Sequence, residues 1–203
     1  MARPALSESA RERQRERTLA VAEHLFASKG FEAVTMRALA AELGCSPMAP
    51  YRYFAGKDEI FALVRASAFL RFGALQEAAA HGPGTMLARL DRLGRAYIGF
   101  GRDEPDAYRV VFALDQTGEE QYPALAEAGR QAWQPLRGLI GEAVEEGVLY
   151  GDPDTLAHLF WAGLHGIVTL HLAGKLVQGR TLDELAGPMM LITQRGASRP
   201  EEN

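Results

Sequence analysis

The sequence predicts an all-α protein of about nine helices. Apolar residues recur at three- and four-residue intervals along most of the 203 residues, and no sustained two-residue alternation with hairpin turns is found. An apolar fraction of 47% suffices for the packed core of a folded, soluble chain. Helix breakers and caps divide the chain into an N-terminal part (1–57), a larger part (58–195) and a tail (196–203) that we expect to be disordered.

The N-terminal part begins with two amphipathic helices. The first continues from a basic arm to Gly30, a typical position just past a helix end. Thr35 caps a short second helix, which stops at Gly44. The inner stripes of the two helices consist of apolar residues at helical spacing: Leu19, Ala22, Leu25, Phe26, Met36, Leu39, Ala40 and Leu43.

Residues 44–54, GCSPMAPYRYF, predict a third helix from Pro47 to about Phe54. Ser46 followed by Pro47 is a helix-start pair, but Pro50 lacks the N–H that closes the first turn. Other helices must therefore hold the segment, through the side that carries Pro50 and Phe54. The opposite side presents Met48, Ala49, Arg52 and Tyr53, with Tyr51 at the border.

Six further helices are expected after this segment. A fourth helix runs from about Asp58 to Ala80, and the breaker HGPG (81–84) then marks a boundary. Pro135 should kink the helix that contains it, whereas Asp152 with Pro153 is another cap-and-start pair. The last five helices are predicted near residues 85–101, 105–115, 123–147, 153–175 and 182–195.

Charge is distributed unevenly along the chain. Residues 1–57 contain nine Lys/Arg and six Glu, a net charge of +3, and the remainder carries a net charge of −7. A basic head on an acidic body can approach a polyanion in only one orientation. Two short helices joined by a turn with glycine form the helix-turn-helix layout, whose second helix enters the DNA major groove.

The exposed side of the third helix has chemistry that suits DNA. Pro47, Met48 and Ala49 can meet thymine methyls, and Arg52 can bond guanine or a phosphate. Tyrosine hydroxyls suit phosphate oxygens, and Lys57 adds a cation near a helix start. The alternative is that Tyr51 and Tyr53 are packed aromatic residues and that Lys57 is a solvated charge.

The cellular setting is expected to be reducing and cytoplasmic. Cys45 is the single cysteine and cannot form an intramolecular disulfide, and the N-terminus lacks the apolar core of a secretory signal. The apolar stretch 156–177 is long enough to span a bilayer, but it contains three histidines and has no basic flank. A helix buried between other helices is the preferred interpretation of this stretch.

The N-terminal sequence resembles the DNA-binding signature of the tetracycline-repressor (TetR) family of bacterial transcription regulators. The resemblance lies in AEHLFASKGFEAVT (22–35) and TMRALAAELGCSPMAPYRYFAGKDEIF (35–61), within residues 14–64. Cys45 and Pro50 stand where this family often has aliphatic residues. The matching residues are Phe26, Gly30, Thr35, Ala40, Leu43, Gly44, Ser46, Tyr51, Phe54, Lys57 and Phe61.

This resemblance implies the contacts that the family makes with DNA. Phosphate contacts are implied for Thr35, Tyr51, Tyr53 and Lys57, and base contacts for Arg37, Pro47, Met48 and Ala49. Ser46 and Arg52 complete the candidate DNA-binding set. The arm arginines Arg11, Arg13, Arg15 and Arg17 either reach flanking phosphates or form helical pairs with Glu8, Glu12 and Glu16.

The C-terminal half resembles the ligand-sensing half of this family more loosely. FWAGLHGIVTL (160–170) is similar to a subgroup that has Trp, His and Gly in this helix, here Trp161, His165 and Gly166. The family architecture implies a homodimer through the helices near 153–175 and 182–195. Gly163, Gly166 and Gly174 either permit close approach at that interface or relieve crowding inside one subunit.

A small, largely apolar effector is expected in the C-terminal half, because few charges occur among its aromatic residues. The sequence offers no metal, phosphate-loop or nucleophile motif, so we expect no enzyme activity, no cofactor and hydrogen-bonding roles for the histidines. A redox role of Cys45 is the lesser alternative to a buried turn residue. Candidate ligand-binding residues are Tyr97, Phe100, Tyr108, Phe112, Trp133, Leu136, Phe160, Trp161, Leu164 and His165.

The function predicted from these features is a homodimeric transcriptional repressor that binds a double-stranded DNA operator and is released by its effector. A ligand-responsive activator, a small-molecule binding protein without DNA function and a membrane-associated helical protein remain alternatives. The helix from Asp58 and the kinked helix at Pro135 are the expected carriers of the conformational change.

Overall fold

Eight α-helices and one short 3₁₀ helix form the secondary structure of residues 7–112 and 121–197, the part of the chain that this computed structural model describes. No strand occurs in these residues, so the predicted all-α class is confirmed. The helices are α1 (Glu8–Lys29), α2 (Met36–Glu42), α3 (Lys57–Ala80), α4 (Met86–Asp103), α5 (Pro105–Val111), α6 (Pro123–Glu145), α7 (Pro153–Leu172) and α8 (Leu182–Gly196).

Short polar side chains start most of these helices. The Thr35 hydroxyl accepts a hydrogen bond from Ala38 N at 3.1 Å, as the sequence predicts for the start of α2. Asp152 caps α7 by accepting from Thr155 N at 2.8 Å, with Pro153 as the first helical residue. Because the Thr155 hydroxyl and N–H both donate to the Asp152 carboxylate, its pKa lies below the ordinary value.

The predicted third helix is wrong in both length and type. Only Pro50–Arg52 are helical, as a single 3₁₀ turn, within what we call the Pro50 segment (residues 46–54). Pro50 has no N–H to give to the Ser46 carbonyl, which instead accepts from Ala49 N at 2.9 Å. Ala49 therefore occupies the cap position, and Ser46 is not the helix cap that the sequence predicts.

The turn between α2 and the Pro50 segment requires glycine at position 44. Gly44 has a φ of +66°, a left-handed conformation that is inexpensive only for glycine. In this conformation Gly44 N donates to Ala41 O at 3.0 Å and Cys45 N donates to Ala40 O at 2.9 Å. Two of the carbonyls at the end of α2 are thus satisfied, which confirms the predicted end of this helix.

Backbone contacts divide the chain into two compact units. The first contains the described residues up to Phe69 and those between Asp106 and Ala128, and the second contains Leu70–Pro105 and the described residues from Gly129 onward. The predicted boundary after residue 57 falls at the first residue of α3, whereas the first unit extends twelve residues further and includes most of α5. Helices α3 and α6 each contribute residues to both units.

The first unit is built around apolar side chains of α1, α2 and α3. The Phe61 ring packs against Phe26 and Phe31, each at a centroid distance of 4.8 Å. Val110 of α5 joins the same cluster, as does Phe54 of the Pro50 segment. The remaining buried members are Ala22, Leu25, Val34, Met36, Leu39, Leu43, Ile60 and Val64.

In the second unit, methionines of α8 fill space that glycines leave on other helices. A Cβ atom at Gly94 of α4 would overlap Met190 Sδ, and one at Gly163 of α7 would lie 2.8 Å from Met189 Sδ. These contacts favour the intrasubunit role of Gly163 between the two predicted alternatives. Both glycines let α8 pack closely in the core of the unit.

Two other glycines, one within α7 and one just after it, differ from Gly163. Gly174 has a φ of +64° and follows the end of the helix, where its N–H donates to His171 O at 2.9 Å. Apart from the backbone of α7 itself, no heavy atom of the described chain lies within 4 Å of a Cβ built on Gly166. Gly174 is therefore a helix terminator, and Gly166 is the glycine that leaves the surface of α7 open.

Residues at the ends of α6 to α8 refine the sequence-based boundaries. Helix α6 is continuous through Pro135. Gly196 is still helical, and the buried Ala197 accepts a hydrogen bond from Tyr150 N at 2.7 Å, so the fold extends two residues into the predicted tail. The rest of that tail, 198–203, and the predicted helical residues 113–115 lie outside the described residues. None of the helices described, α7 included, has the length and hydropathy needed to cross a membrane.

Candidate functional site

The residues predicted to contact DNA are accessible in the first unit. Met48 is 68% exposed and Tyr51 is 47% exposed, whereas Pro50 and Phe54 of the same segment are buried. The predicted division of the Pro50 segment into an anchored side and an outward side is therefore present. Seven of the ten predicted residues are exposed and three are half-buried: Thr35, Arg37, Ser46, Pro47, Met48, Tyr51 and Arg52 belong to the first group, and Ala49, Tyr53 and Lys57 to the second.

Six of these ten residues surround two grooves on the first unit. We call the wider one the outer groove, which has a volume of about 630 Å³ and contains the side chains of Met48, Tyr51 and Arg52. Its other lining residues are Gly44, Cys45, Ser46 and Ala49. A second groove of about 230 Å³, the inner groove, separates the Pro50 segment from Gln14, Arg17 and Thr18 of α1.

Two arginines of α1 donate hydrogen bonds to the backbone that carries the candidate DNA-binding residues. Arg15 Nη1 donates to Tyr53 O at 2.7 Å, and the Arg15 guanidinium lies 4.8 Å from the centroid of the Phe54 ring. Arg17 Nη2 donates to Leu43 O at 3.3 Å, near the end of α2. The sequence predicts phosphate contacts or helical ion pairs for these arginines, whereas both donate to backbone carbonyls of the first unit. Their acceptors lie 38 and 26 residues away, so no local pattern could indicate them.

Two further cations of the predicted set contact aromatic rings. Lys57 Nζ donates to Phe31 O at 3.0 Å and lies 3.9 Å from the centroid of the Phe31 ring. The Lys57 ammonium is therefore not freely solvated, because Phe31 already holds it in place. The Arg52 guanidinium lies 5.9 Å from the centroid of the Tyr53 ring, and Arg52 lines both grooves.

Candidate ligand residues divide between the two units. Tyr108 and Phe112 belong to the first unit, where their ring centroids are 4.7 Å apart. The other eight belong to the second unit, and five of them are buried core residues: Tyr97, Phe100, Leu136, Phe160 and Leu164. Trp133, Trp161 and His165 are only half-buried, so solvent reaches their side chains.

A hydrogen-bonded group in the second unit joins α4 to α7. Trp161 Nε1 donates to the Tyr97 hydroxyl at 3.1 Å, and this hydroxyl lies 3.4 Å from His165 Nδ1. His165 Nε2 in turn lies 3.3 Å from the Thr169 hydroxyl. Every group is satisfied when His165 is neutral, with Tyr97 donating to Nδ1 and Nε2 donating to Thr169. We call these four residues the Tyr97 network.

Aromatic rings extend this network towards α6. Trp133 lies 6.0 Å from Trp161 and 4.8 Å from His158, measured between ring centroids. His158 Nδ1 is 2.7 Å from Asp154 O, so this histidine has a hydrogen-bonding role like that of His165. Among the described residues, no three His, Cys, Asp or Glu side chains are grouped closely enough to hold a metal ion.

Comparisons with known proteins agree with this architecture. The family model described as "Bacterial regulatory proteins, tetR family" matches residues 19–64, and the model "Tetracyclin repressor-like, C-terminal domain" matches residues 90–191. No curated protein matches the sequence significantly.

Several solved structures share the fold. A protein of unknown function from Rhodococcus sp. RHA1 is 27% identical, with a TM-score of 0.78 over 91% of this chain and 95% of that one. The TetR family transcriptional regulator PfmR from Thermus thermophilus is 22% identical, with a TM-score of 0.75 over 92% and 98%. The ketosteroid transcriptional regulator KstR2 of Mycobacterium tuberculosis is 18% identical, with a TM-score of 0.73 over 92% and 96%.

The protonation of His165 should make the stability of the fold depend on pH. Burial lowers the pKa of His165 below its ordinary value of 6.5. As pH falls through 6.5, the unfolded chain therefore takes up a proton that the folded chain resists, so the stabilisation present above pH 6.5 is lost towards lower pH. In the His165→Gln variant this loss should be absent, and thermal unfolding followed by circular dichroism from pH 8 to pH 5 measures it. The four other histidines are present in the wild type and in the variant, so their effects cancel in the comparison. A difference in Tm between the two that stays constant from pH 8 to pH 5 would contradict the prediction.

Proposed function

The chain belongs to the tetracycline-repressor (TetR) family of bacterial regulatory proteins, and from this premise we propose that it is a homodimeric transcriptional repressor of the cytoplasm. It binds a palindromic DNA operator and leaves it when a small, largely apolar effector binds. It has no enzymatic step of its own. The observation that carries the proposal is the outward side of the Pro50 segment, which is accessible while the opposite side is buried in the head.

The Pro50 segment reads the major groove. Met48, exposed at the outer groove, meets thymine methyls, and Arg37 of α2 bonds a base edge. The hydroxyls of Tyr51 and Tyr53 bind phosphate oxygens on either side. Lys57 holds its ammonium against the Phe31 carbonyl and has two N–H groups left for a phosphate.

The second subunit covers an apolar surface of α7 and α8. Leu159 and Leu170, separated by eleven residues, share one face of α7 with Gly166, and Leu159 is 57% exposed. Leu191 and Ile192 of α8 are also exposed, and Ile192 has 68% of its surface in solvent. Large aliphatic side chains grouped this way are unusual on a monomer, and a second copy of the same pair of helices buries them in a four-helix bundle. Two identical heads then match a two-fold palindrome.

The effector binds beside the Tyr97 network. Tyr97 is 2% exposed, but Trp161 and His165 are half-buried, so an apolar ligand can reach the network from solvent. The rings of Trp133 and Trp161 offer apolar contact area, and the Tyr97 hydroxyl and His165 offer the few polar groups that orient a ligand. Helix α3 has residues in both units, so it can carry the effect of binding towards the head.

Substitutions on the outward side should separate phosphate contacts from base contacts. Tyr51→Phe removes one phosphate bond and should weaken binding to every duplex by the same factor, roughly 2- to 10-fold. Met48→Ala should instead alter the sequence recovered when the protein selects duplexes from a random pool. Tyr150→Phe, at an exposed tyrosine of the second unit, is the matched control and should bind as the wild type does. If the wild type enriches no sequence and shows no salt-dependent binding to duplex DNA, the result would point to a small-molecule binding protein without DNA function.

Charges placed on the α7 and α8 surface should prevent dimer formation. Leu159→Asp with Ile192→Asp puts two carboxylates where the second copy buries apolar side chains. Sedimentation should then give the mass of one chain, whereas Val177→Asp, at an exposed residue beyond α7, should leave the mass of two. A double variant that sediments as the wild type would exclude this surface as the interface.

Hydrophobic ligands should stabilise the protein and change its tryptophan emission. Of the two tryptophans of the chain, Trp161 belongs to the Tyr97 network and the Trp133 ring lies 6.0 Å from that of Trp161, so tryptophan fluorescence reports on this site. In a panel of hydrophobic and anionic compounds, the hydrophobic members should raise Tm and shift the emission, and Tyr97→Phe should weaken both effects. Tyr150→Phe again serves as the control. Stabilisation only by small hydrophilic anions would contradict the proposed effector class.

A further inference from the structure

The guanidinium of Arg15 makes two contacts with the end of the Pro50 segment. It donates to Tyr53 O at 2.7 Å and lies 4.8 Å from the centroid of the buried Phe54 ring. Tyr53 follows directly after the 3₁₀ turn, and its side chain belongs to the candidate DNA-binding surface. Arg15 therefore connects α1 to the backbone that carries this surface.

The Pro50 segment cannot hold its own conformation. Its 3₁₀ turn contains three residues and ends with two N–H groups, those of Tyr53 and Phe54, sharing the Pro50 carbonyl. Turns this short have no helical stability in isolation. The carbonyls that follow lack partners within the segment, and a cation is a favourable partner for carbonyls at the end of a helical turn.

The contacts of Arg15 orient its guanidinium towards the Pro50 segment. One edge of its guanidinium faces Tyr53 O and one face lies over Phe54, and the residue is half-buried. By contrast, Arg11 and Arg13 of the same helix are exposed. The arm arginines are therefore of two kinds: Arg11 and Arg13 point to solvent, and the half-buried Arg15 packs against the Pro50 segment.

We infer that Arg15 is a positioning residue of the DNA-binding surface, which holds the Pro50 segment and its base-reading Met48 in register through the Tyr53 carbonyl and the Phe54 ring without touching DNA. This inference rests on the proposed function. Arg17 adds a longer bond, 3.3 Å, to Leu43 O on the other side of the inner groove. The two arginines thus bind the end of α2 and the end of the Pro50 segment to α1.

A positioning role and a phosphate-binding role predict different salt dependence. Removing one phosphate-binding cation from the complex lowers the slope of log K against log salt concentration by about 0.9 and weakens binding to all duplexes alike. Removing a positioning residue leaves the slope unchanged and lowers specific binding alone, because only specific binding needs the base-reading side chains in register. The two roles are therefore separable in one titration series.

The experiment compares wild type, Arg15→Ala and Arg15→Gln on two duplexes of equal length. One is the duplex that the wild type selects from a random pool, and the other is its scrambled sequence. Arg15→Ala should lower affinity for the selected duplex about tenfold, since a charge-assisted hydrogen bond to the backbone is removed, and should leave affinity for the scrambled duplex and both slopes unchanged. Arg15→Gln retains a donor without the charge and should restore part of the specific affinity.

Controls distinguish the outcomes. Lys29→Ala removes the same unit charge from the last turn of α1 and should change specific binding less than Arg15→Ala does. If the slope falls by about 0.9 for both Arg15 variants, Arg15 is a phosphate ligand and the inference is wrong. Unchanged affinity in both variants would also overturn it. If Arg15→Ala does not fold, judged by circular dichroism, Arg15→Gln decides by the same criteria. A wild type that selects no sequence would refute the proposed function itself, and the positioning role with it.

Discussion

Burial of Pro50 and Phe54 against the first helices is the interaction on which the candidate DNA-binding surface depends. The Pro50 segment has one 3₁₀ turn, and proline removes the hydrogen bond that would extend it. Burying a phenylalanine side chain contributes about 1.5–3 kcal/mol, which exceeds anything that so short a turn supplies by itself. The apolar side therefore fixes the segment, and this leaves Met48, Tyr51 and Arg52 of the opposite side exposed.

The same constraint explains why the arginines of α1 differ in role. A segment seated by apolar contacts alone still has backbone carbonyls at its end that need donors. Arg15 and Arg17 donate to carbonyls at the ends of the Pro50 segment and of α2, whereas the exposed Arg11 and Arg13 of the same helix are placed to attract a polyanion. Positive charge in this head thus serves internal hydrogen bonding as well as attraction to DNA.

Local features of the structure followed from the sequence, and distant contacts did not. Thr35, Gly44 and Asp152 end or start helices through residues next to them, so spacing alone identified them. The helix predicted from Pro47 is too long, because the start signal of Ser46 and Pro47 does not compensate for the missing N–H of Pro50. Arg15 is 38 residues from Tyr53, and Tyr97 is 68 residues from His165. Only the packing of helices brings the members of each pair together. The role of Gly163 likewise depends on Met189 of another helix.

The dependence of the Pro50 segment on other helices limits how an effector can regulate DNA binding. Because the Pro50 segment has no stability apart from α1 and α2, its shape cannot change without disrupting the core that contains Phe26, Leu39 and Phe54. Val110 of α5 belongs to that core, and Asp106 lies 2.8 Å from His24 of α1, so α5 moves with the head. In the proposed dimer an effector therefore acts by displacing whole heads relative to the two half-sites, and a displacement of a few ångströms suffices because half-site spacing is fixed by the pitch of the duplex.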